Sequence, residues 1–341
     1  MSLAAPTVRQ SARPRMPLLA GLGLAAAAMF VLSLAIGYAP FDLGAAIGDA
    51  LAGQRSLAAL ILLELRLPRA LLGLLVGFTL GLGGAVMQGF LRNPLAEPGI
   101  IGVSGAAALG AVLVFYTGLA AVSSLLLPLG GIAAALCAGL VLFMLAGRGT
   151  TTTTLILAGV AMNSLAGALI SLVLNLSPNP YAATEIMFWL MGSLADRSLV
   201  HVWIVLPLMA TGWAMMLWTA RVLDALTLGE QTAESLGFDL RVTRAVIVSG
   251  IALSVGSAVA VSGAIGFVGL VVPHLLRPFT GHRPAALLVA SGLGGAVLTL
   301  AADVAVRLVA AQPELKLGVV TALIGAPFLF SLIWRLRGQM R

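Results

Sequence analysis

The stretch Ala245–Leu276, AVIVSGIALSVGSAVAVSGAIGFVGLVVPHLL, runs for 32 residues without a charge. A helix that crosses a bilayer needs about 20 apolar residues, so this run is too long for one pass and short for two. Its flanks decide between them. Arg241 and Arg244 precede it, and Arg277 and Arg283 follow it. Short arginine clusters favour the cytoplasmic side, so both ends lie on one side and the chain passes twice, turning near Ser262-Gly263. Working outward, the other uncharged windows are 16–41, 70–91, 98–147, 149–184, 198–220, 284–302 and 317–334. The 98–147 window also holds two passes, with a turn at Tyr116-Thr117-Gly118 ahead of Pro128. The reading is an all-α integral membrane protein of ten transmembrane helices.

Composition agrees. Of 341 residues, 60% are hydrophobic and only 9% charged, and the mean hydropathy is +1.09. A soluble chain carries about a quarter charged residues, and a disordered one is poor in apolar residues, so both classes are excluded. One cysteine, Cys137, excludes a disulfide framework, and with three histidines it is too little for a metal site of the usual kind. The net charge of +7 suggests nucleic acid only if the basic residues cluster. With the Arg9, Arg13, Arg15 end inside, ten passes leave 13 basic residues inside and 6 outside (Arg55, Arg66, Arg69, Arg197, Arg307 and Lys316). That split is a topology signal rather than a nucleic-acid surface, and it places both termini in the cytoplasm. The apolar run 16–41 is too long for a signal peptide and Tyr38-Ala39-Pro40 is a poor cleavage site, so residues 1–16 read as a cytoplasmic tail before a retained first span.

Two segments repeat. Val76-Gly77, Gly84-Ala85-Val86 and Pro94 recur as Val255-Gly256, Gly263-Ala264-Ile265 and Pro273 at a constant offset of 179. Five passes between equivalents make an inverted five-helix repeat, a plan common in transporters. The same Gly-Ala pairs would also suit close packing of membrane helices. The only lysine, Lys316, follows Leu315, so no phosphate-binding Gly-Lys-Ser/Thr loop exists. Acidic residues Glu185, Asp196 and Asp303 fall near predicted span ends, whereas an ion-driven carrier needs ionisable groups at membrane depth. Transport by this chain therefore requires energy from a partner.

The segment from Arg66-Leu-Pro-Arg69 through Gln88, Arg92-Asn-Pro-Leu-Ala-Glu-Pro98 and Ile101-Gly-Val-Ser-Gly105 resembles the FecCD-type permeases of iron-siderophore, haem and cobalamin importers. Gly263-Ala-Ile-Gly-Phe-Val-Gly-Leu-Val-Val-Pro273-His274-Leu-Leu-Arg277, Asp303…Arg307 and Gly325-Ala-Pro-Phe328 are similar to further hallmarks of that family. The likeness covers about 60–335. One departure is Lys316 in Glu314-Leu315-Lys316, where the family often has proline.

The resemblance implies the type II ABC importer permease fold, with 1–341 as one transmembrane domain in the bacterial inner membrane. It implies a permease subunit that carries an iron complex or cobalamin from periplasm to cytoplasm and is not itself an enzyme. It also implies a second copy of the chain, a periplasmic substrate-binding protein and an ATPase dimer. The chain itself would hold no cofactor and no metal, ATP and magnesium being used by the ATPase. An ion-coupled secondary transporter is the alternative.

Three site groups follow. In the cytoplasmic loop 224–244, Thr227 and Glu230 have capping-box spacing and Gly237 sits where a helix would end, predicting a short helix over about 229–236. On the residues alone this is equally an ordinary loop helix. The resemblance makes it the ATPase-coupling helix, with Leu228, Gly229, Glu230, Thr232, Ala233, Glu234, Leu236 and Gly237 as contacts. Arg66, Arg69 and Arg307 read alone as arginines that snorkel at span ends; the resemblance makes them the docking site for acidic residues of the binding protein. Gln88, Asn93, Leu95, Thr152 and Thr153 become a cytoplasmic gate, although a threonine run also suits helix capping. His274 is expected to be packed and hydrogen-bonded rather than a ligand, and Cys137 a small apolar filler of the fourth span.

Overall fold

The computed structural model describes residues 15–37, 42–145, 152–177, 180–309 and 314–339. The tail residues 1–14, Tyr38-Ala39-Pro40, Arg148, Thr150, Thr151 and Arg341 lie outside them. The described chain is helical with no strand. In order, the helices are α1 (Arg15–Ala35), α2 (Leu43–Leu51), α3 (Leu57–Leu60), α4 (Leu67–Phe90), α5 (Val103–Tyr116), α6 (Leu119–Val122), α7 (Leu126–Leu145) and α8 (Thr152–Asn175). They continue as α9 (Pro180–Leu190), α10 (Leu199–Trp218), α11 (Ala220–Leu226), α12 (Glu230–Ser235), α13 (Leu240–Ser262), α14 (Val268–Leu276), α15 (Pro284–Val309) and α16 (Leu317–Gln339). Among the described residues seven helices are long and apolar enough to span a membrane. The other three expected passes coincide with shorter apolar helices, α5, α14 and the 317–332 part of α16, so helix length alone gives seven rather than ten.

The 245–276 stretch breaks where its glycine stands. α13 ends at Ser262, Gly263 takes φ +69, a backbone region open to glycine, and α14 begins five residues later. The return is thus an extended segment followed by a nine-residue half-helix. The 98–147 window likewise divides at Gly118, φ +74.

Contacts between helices set their directions. Arg197 beside α10 donates to Val261 O at 2.6 Å, and Gly212 lies against Gly250 and Ser254, so α10 and α13 are antiparallel. Leu194, leading into α10, sits at Gly73, and Trp213 Nε1 donates to Thr79 Oγ1 at 2.9 Å, so α10 runs with α4. α4 and α13, the two helices that carry the repeat, therefore point opposite ways, as an inverted repeat requires. The α4–α15 seam is a row of small residues: Gly73 meets Leu300, Gly77 meets Gly295 and Thr299, and Gly81 meets Ser291. Spacing by four puts these glycines on one face and lets the backbones touch. α4 is the central element, buried along most of its length.

Two corrections concern charge. The second span begins well before residue 70: α3, a π-helical turn at Ile61–Arg66 and α4 form one helix over Leu57–Phe90. Pro68 has no N–H, and its ring would strike the carbonyl four residues back; the π turn widens the helix at that point. α15 likewise runs past its uncharged window, 284–302, and contains Asp303 and Arg307. Asp303 lies near the end of α15, as expected, but is buried there at 1% exposed. Cys137 is on α7, the fourth span, but faces outward instead of filling the core.

At the other end Asp239 caps α13. Its carboxylate accepts from Val242 N (3.1 Å) and Arg241 N (2.8 Å), which holds it below the usual carboxylate range.

Candidate functional site

The candidate residues lie mostly at the two ends of the bundle. At the first end, the π turn swings Arg66 toward α1, where Nη1 donates to Leu34 O at 2.9 Å and Ala35 O at 2.6 Å. Arg307 reaches the same helix end, with Nη1 to Ser33 O (2.8 Å) and Ile36 O (2.6 Å) and Nη2 to Ser33 Oγ (2.7 Å). The last turn of a helix leaves carbonyls without intrahelical partners and carries partial negative charge; two guanidinium groups, from the π turn before α4 and from α15, satisfy it here. Between them Asp303 bridges Arg69 (2.8 Å) and Arg307 (2.9 Å), and Glu314 closes on the other side of the Arg69 fork.

Arg66, Arg69 and Arg307 are therefore brought together, around a cavity of about 330 Å³ shared with Arg197 and Glu314. They are not the free surface charges the sequence suggests. Arg66 and Arg307 are 7% and 6% exposed, with their charged ends turned onto α1 and Asp303. Asp303 and Glu314, the acids that neutralise the cluster, belong to motifs visible in the sequence, but their pairing across some 240 residues is not.

At the opposite end α12 occupies Glu230–Ser235, close to its predicted span. Gly237, φ +88, ends it as a left-handed residue one position past the cap, as expected. The capping box does not form. Gly229 is the N-cap, Thr227 Oγ1 donates instead to Asp224 O at 2.7 Å, and the Glu230 carboxylate accepts from Thr152 Oγ1 at 3.1 Å. That last bond joins α12, the helix that the resemblance assigns to coupling, to the first residue of α8. Leu228, Gly229, Glu230, Thr232, Thr152 and Thr153 line one cavity of about 490 Å³. Ala233 is fully buried beneath the helix, whereas Glu234, Leu236 and Gly237 are exposed.

The remaining residues that the resemblance assigns to a gate lie elsewhere. Gln88 is 2% exposed inside the subunit; its Nε2 donates to Leu270 O (3.1 Å) and Gly269 O (3.4 Å), holding the half-helix α14. Asn93 forms a local turn, its Oδ1 accepting from Leu95 N at 2.9 Å. From there the chain climbs back along α4, so that Pro98 packs on Gly83. Asn163 of α8 grips this segment through Gly99 O at 2.6 Å. His274 packs edge-on against Phe328 at 5.6 Å, but its buried Nδ1 has no partner among the described residues, so the expected hydrogen bond is missing. Among the described residues no group of His, Cys, Asp and Glu could hold a metal ion.

A family model described as the FecCD transport family matches residues 24–335. The chain belongs to the FecCD transport family. Its relatives include the vitamin B12 import system permease protein BtuC of Escherichia coli O157:H7 (strain EC4115 / EHEC), 41% identical over 275 residues, which are 79% of this chain and 82% of that protein. BtuC of Salmonella paratyphi A (strain ATCC 9150 / SARB42) is 40% identical over 275 residues, with the same coverage. A solved inward-facing structure of an ABC transporter assigned to the metal-chelate type matches with a TM-score of 0.83 at 31% identity, covering 94% of this chain and 99% of that one. This FecCD protein is thus a multi-pass permease subunit of a bacterial ABC importer of the metal-chelate/cobalamin type, and so belongs to the inner membrane.

Proposed function

We propose that the chain carries cobalamin inward across the membrane. The observation that carries this reading is the 41% identity with vitamin B12 permeases along 79% of the chain. In this reading residues 1–341 form one ten-pass domain with both termini cytoplasmic, paired with a second copy. A partner ATPase dimer binds ATP and magnesium and pushes on α12, and a periplasmic binding protein docks at the arginine end. An iron chelate or haem is the second reading, favoured by the metal-chelate transporter that shares the fold. Reconstituted with its ATPase and binding protein, the chain is expected to accumulate cobalamin on ATP addition and to ignore an uncoupler. Uptake of a ferric siderophore or haem alone would move the cargo to the second reading, and uptake that survives ATP depletion but collapses with an uncoupler would replace the importer with an ion-coupled carrier.

Two predictions bear on the partners. The α12 position best suited to cross-linking is Glu234, since Glu230 is engaged with Thr152. In a chain with the exposed Cys137 first replaced by serine, Glu234→Cys is expected to cross-link to the ATPase; labelling of that cysteine only from the periplasm would invert the topology. At the other end, reversing charge at Arg69 would strip Asp303 of a counter-ion, so Arg66→Gln is the better probe. It is expected to slow association of the binding protein about threefold or more and to reduce its salt dependence, because paired charges act chiefly on the on-rate. An unchanged on-rate would take Arg66 out of the docking face.

A further inference from the structure

Beside Thr227, where α11 gives way to the α12 loop, lies a cavity of about 240 Å³ walled by Gln88, Arg92, Thr227, Arg277 and His282. Its polar groups are arranged by the buried Gln88. Because Nε2 of that amide is committed to the α14 carbonyls, Oε1 turns to Arg277 and accepts from Nη2 at 2.7 Å. A guanidinium has five N–H donors, and Arg277 makes no other side-chain bond among the described residues. Arg92 and His282 have no side-chain partner there either. The wall holds no carboxylate. Asp224 on the adjoining α11 is committed elsewhere, to Arg283 Nη2 (2.9 Å) and Ala285 N (2.9 Å).

Two of the wall residues also have left-handed backbone, Arg92 at φ +49 and His282 at φ +58. Residues with a side chain are uncommon in that region, and such conformations concentrate where a loop clamps a ligand. Arginine forks match the oxygens of phosphate in pairs, and basic pockets between membrane helices hold phospholipid head groups.

We propose that this cavity binds a phosphate group, either the head group of an anionic phospholipid or free phosphate, between Arg277, Arg92 and His282. The bound group joins the end of α4, the turn between α14 and α15, and the root of the α12 loop. Cargo and ATPase play no part in the proposal, and it is tested without them.

The test titrates the purified chain in detergent with inorganic phosphate and, separately, with short-chain phosphatidylglycerol, following bound heat and thermal midpoint. Saturable binding is expected for at least one probe, weakened about tenfold or more in Arg277→Gln and in Arg92→Gln, the loss typical of a charged hydrogen bond. Arg241→Gln, at an exposed arginine of the same end outside the cavity, is expected to bind as the parent does. Saturation by phosphatidylglycerol alone identifies the lipid head; saturation by phosphate identifies the free ion. Should Arg277→Gln fail to fold, the exposed Arg92→Gln decides. The proposal is overturned if neither probe saturates, if Arg92→Gln binds like the parent, or if Arg241→Gln weakens binding as much as the cavity variants.

Discussion

Asp303→Ala is expected to destabilise the chain by about 3–5 kcal/mol, the cost of leaving a buried charge without its partner. Asp303 is 1% exposed and holds two guanidinium groups at once, Arg69 at 2.8 Å and Arg307 at 2.9 Å. Without it Arg307 keeps the carbonyls and hydroxyl at the end of α1 and the backbone carbonyl of residue 303, but loses its ion pair. Arg69 keeps Glu314. The damage should spread along α1, whose C-terminal carbonyls depend on Arg66 and Arg307. Glu314→Gln, at a side chain 21% exposed, should cost about 1 kcal/mol or less, since solvent screens what is lost. Unfolding in mixed detergent, followed by the fluorescence of the five tryptophans, separates the two variants. Equal midpoints for Asp303→Ala and Glu314→Gln would mean that the buried bridge does not hold the cluster together.

That cluster also explains where the sequence was legible and where it was not. Uncharged windows locate the helices because a lone charge in lipid is costly. The rule fails where charges neutralise one another. Arg69 on one helix and Asp303 and Arg307 on another sit inside helices that windows cut short: Asp303 and Arg307 pair within their own helix, and Arg69 finds Asp303 and Glu314 on elements far along the chain. Periodicity carries no information about such pairs. Glycine was read more surely: Gly118, Gly237 and Gly263 all take positive φ where a turn or helix end was expected. The capping box at Thr227 and Glu230 failed for a tertiary reason, since Thr152 on another helix claims the Glu230 carboxylate. The coupling and gate residues that the resemblance assigned separately meet through that bond, which no local pattern foretells. Gln88, which the resemblance assigns to the gate, uses its buried amide to fix α14 and Arg277.

Gly84→Ala is expected to cost about 3 kcal/mol or more and to take the broken pass with it. A Cβ at Gly84 would overlap the carbonyl oxygen and carbon and the Cα of Gly269. These are backbone atoms, so no rotamer change relieves the clash and α14 must move away; overpacking at rigid contacts costs 1–3 kcal/mol and sometimes more. Moving α14 also breaks the bonds from Gln88 to Gly269 and Leu270, and with them the seat of Arg277. The repeat makes the contrast informative. Gly263, the equivalent of Gly84 at the offset of 179, combines a positive φ with close approach to the Trp189 carbonyl, whereas Gly84 is helical and is needed for space alone. Gly21→Ala serves as control: a Cβ there meets nothing within 4 Å, and alanine favours helix by up to about 1 kcal/mol, so its midpoint should stay or rise. The measurement is the unfolding midpoint of the three proteins in the same detergent, together with uptake of cargo by the reconstituted importer. A Gly84→Ala chain that unfolds within about 0.5 kcal/mol of its parent would show that α14 is not pinned against α4, and the close seam between them would lose its part in holding the returning half-helix.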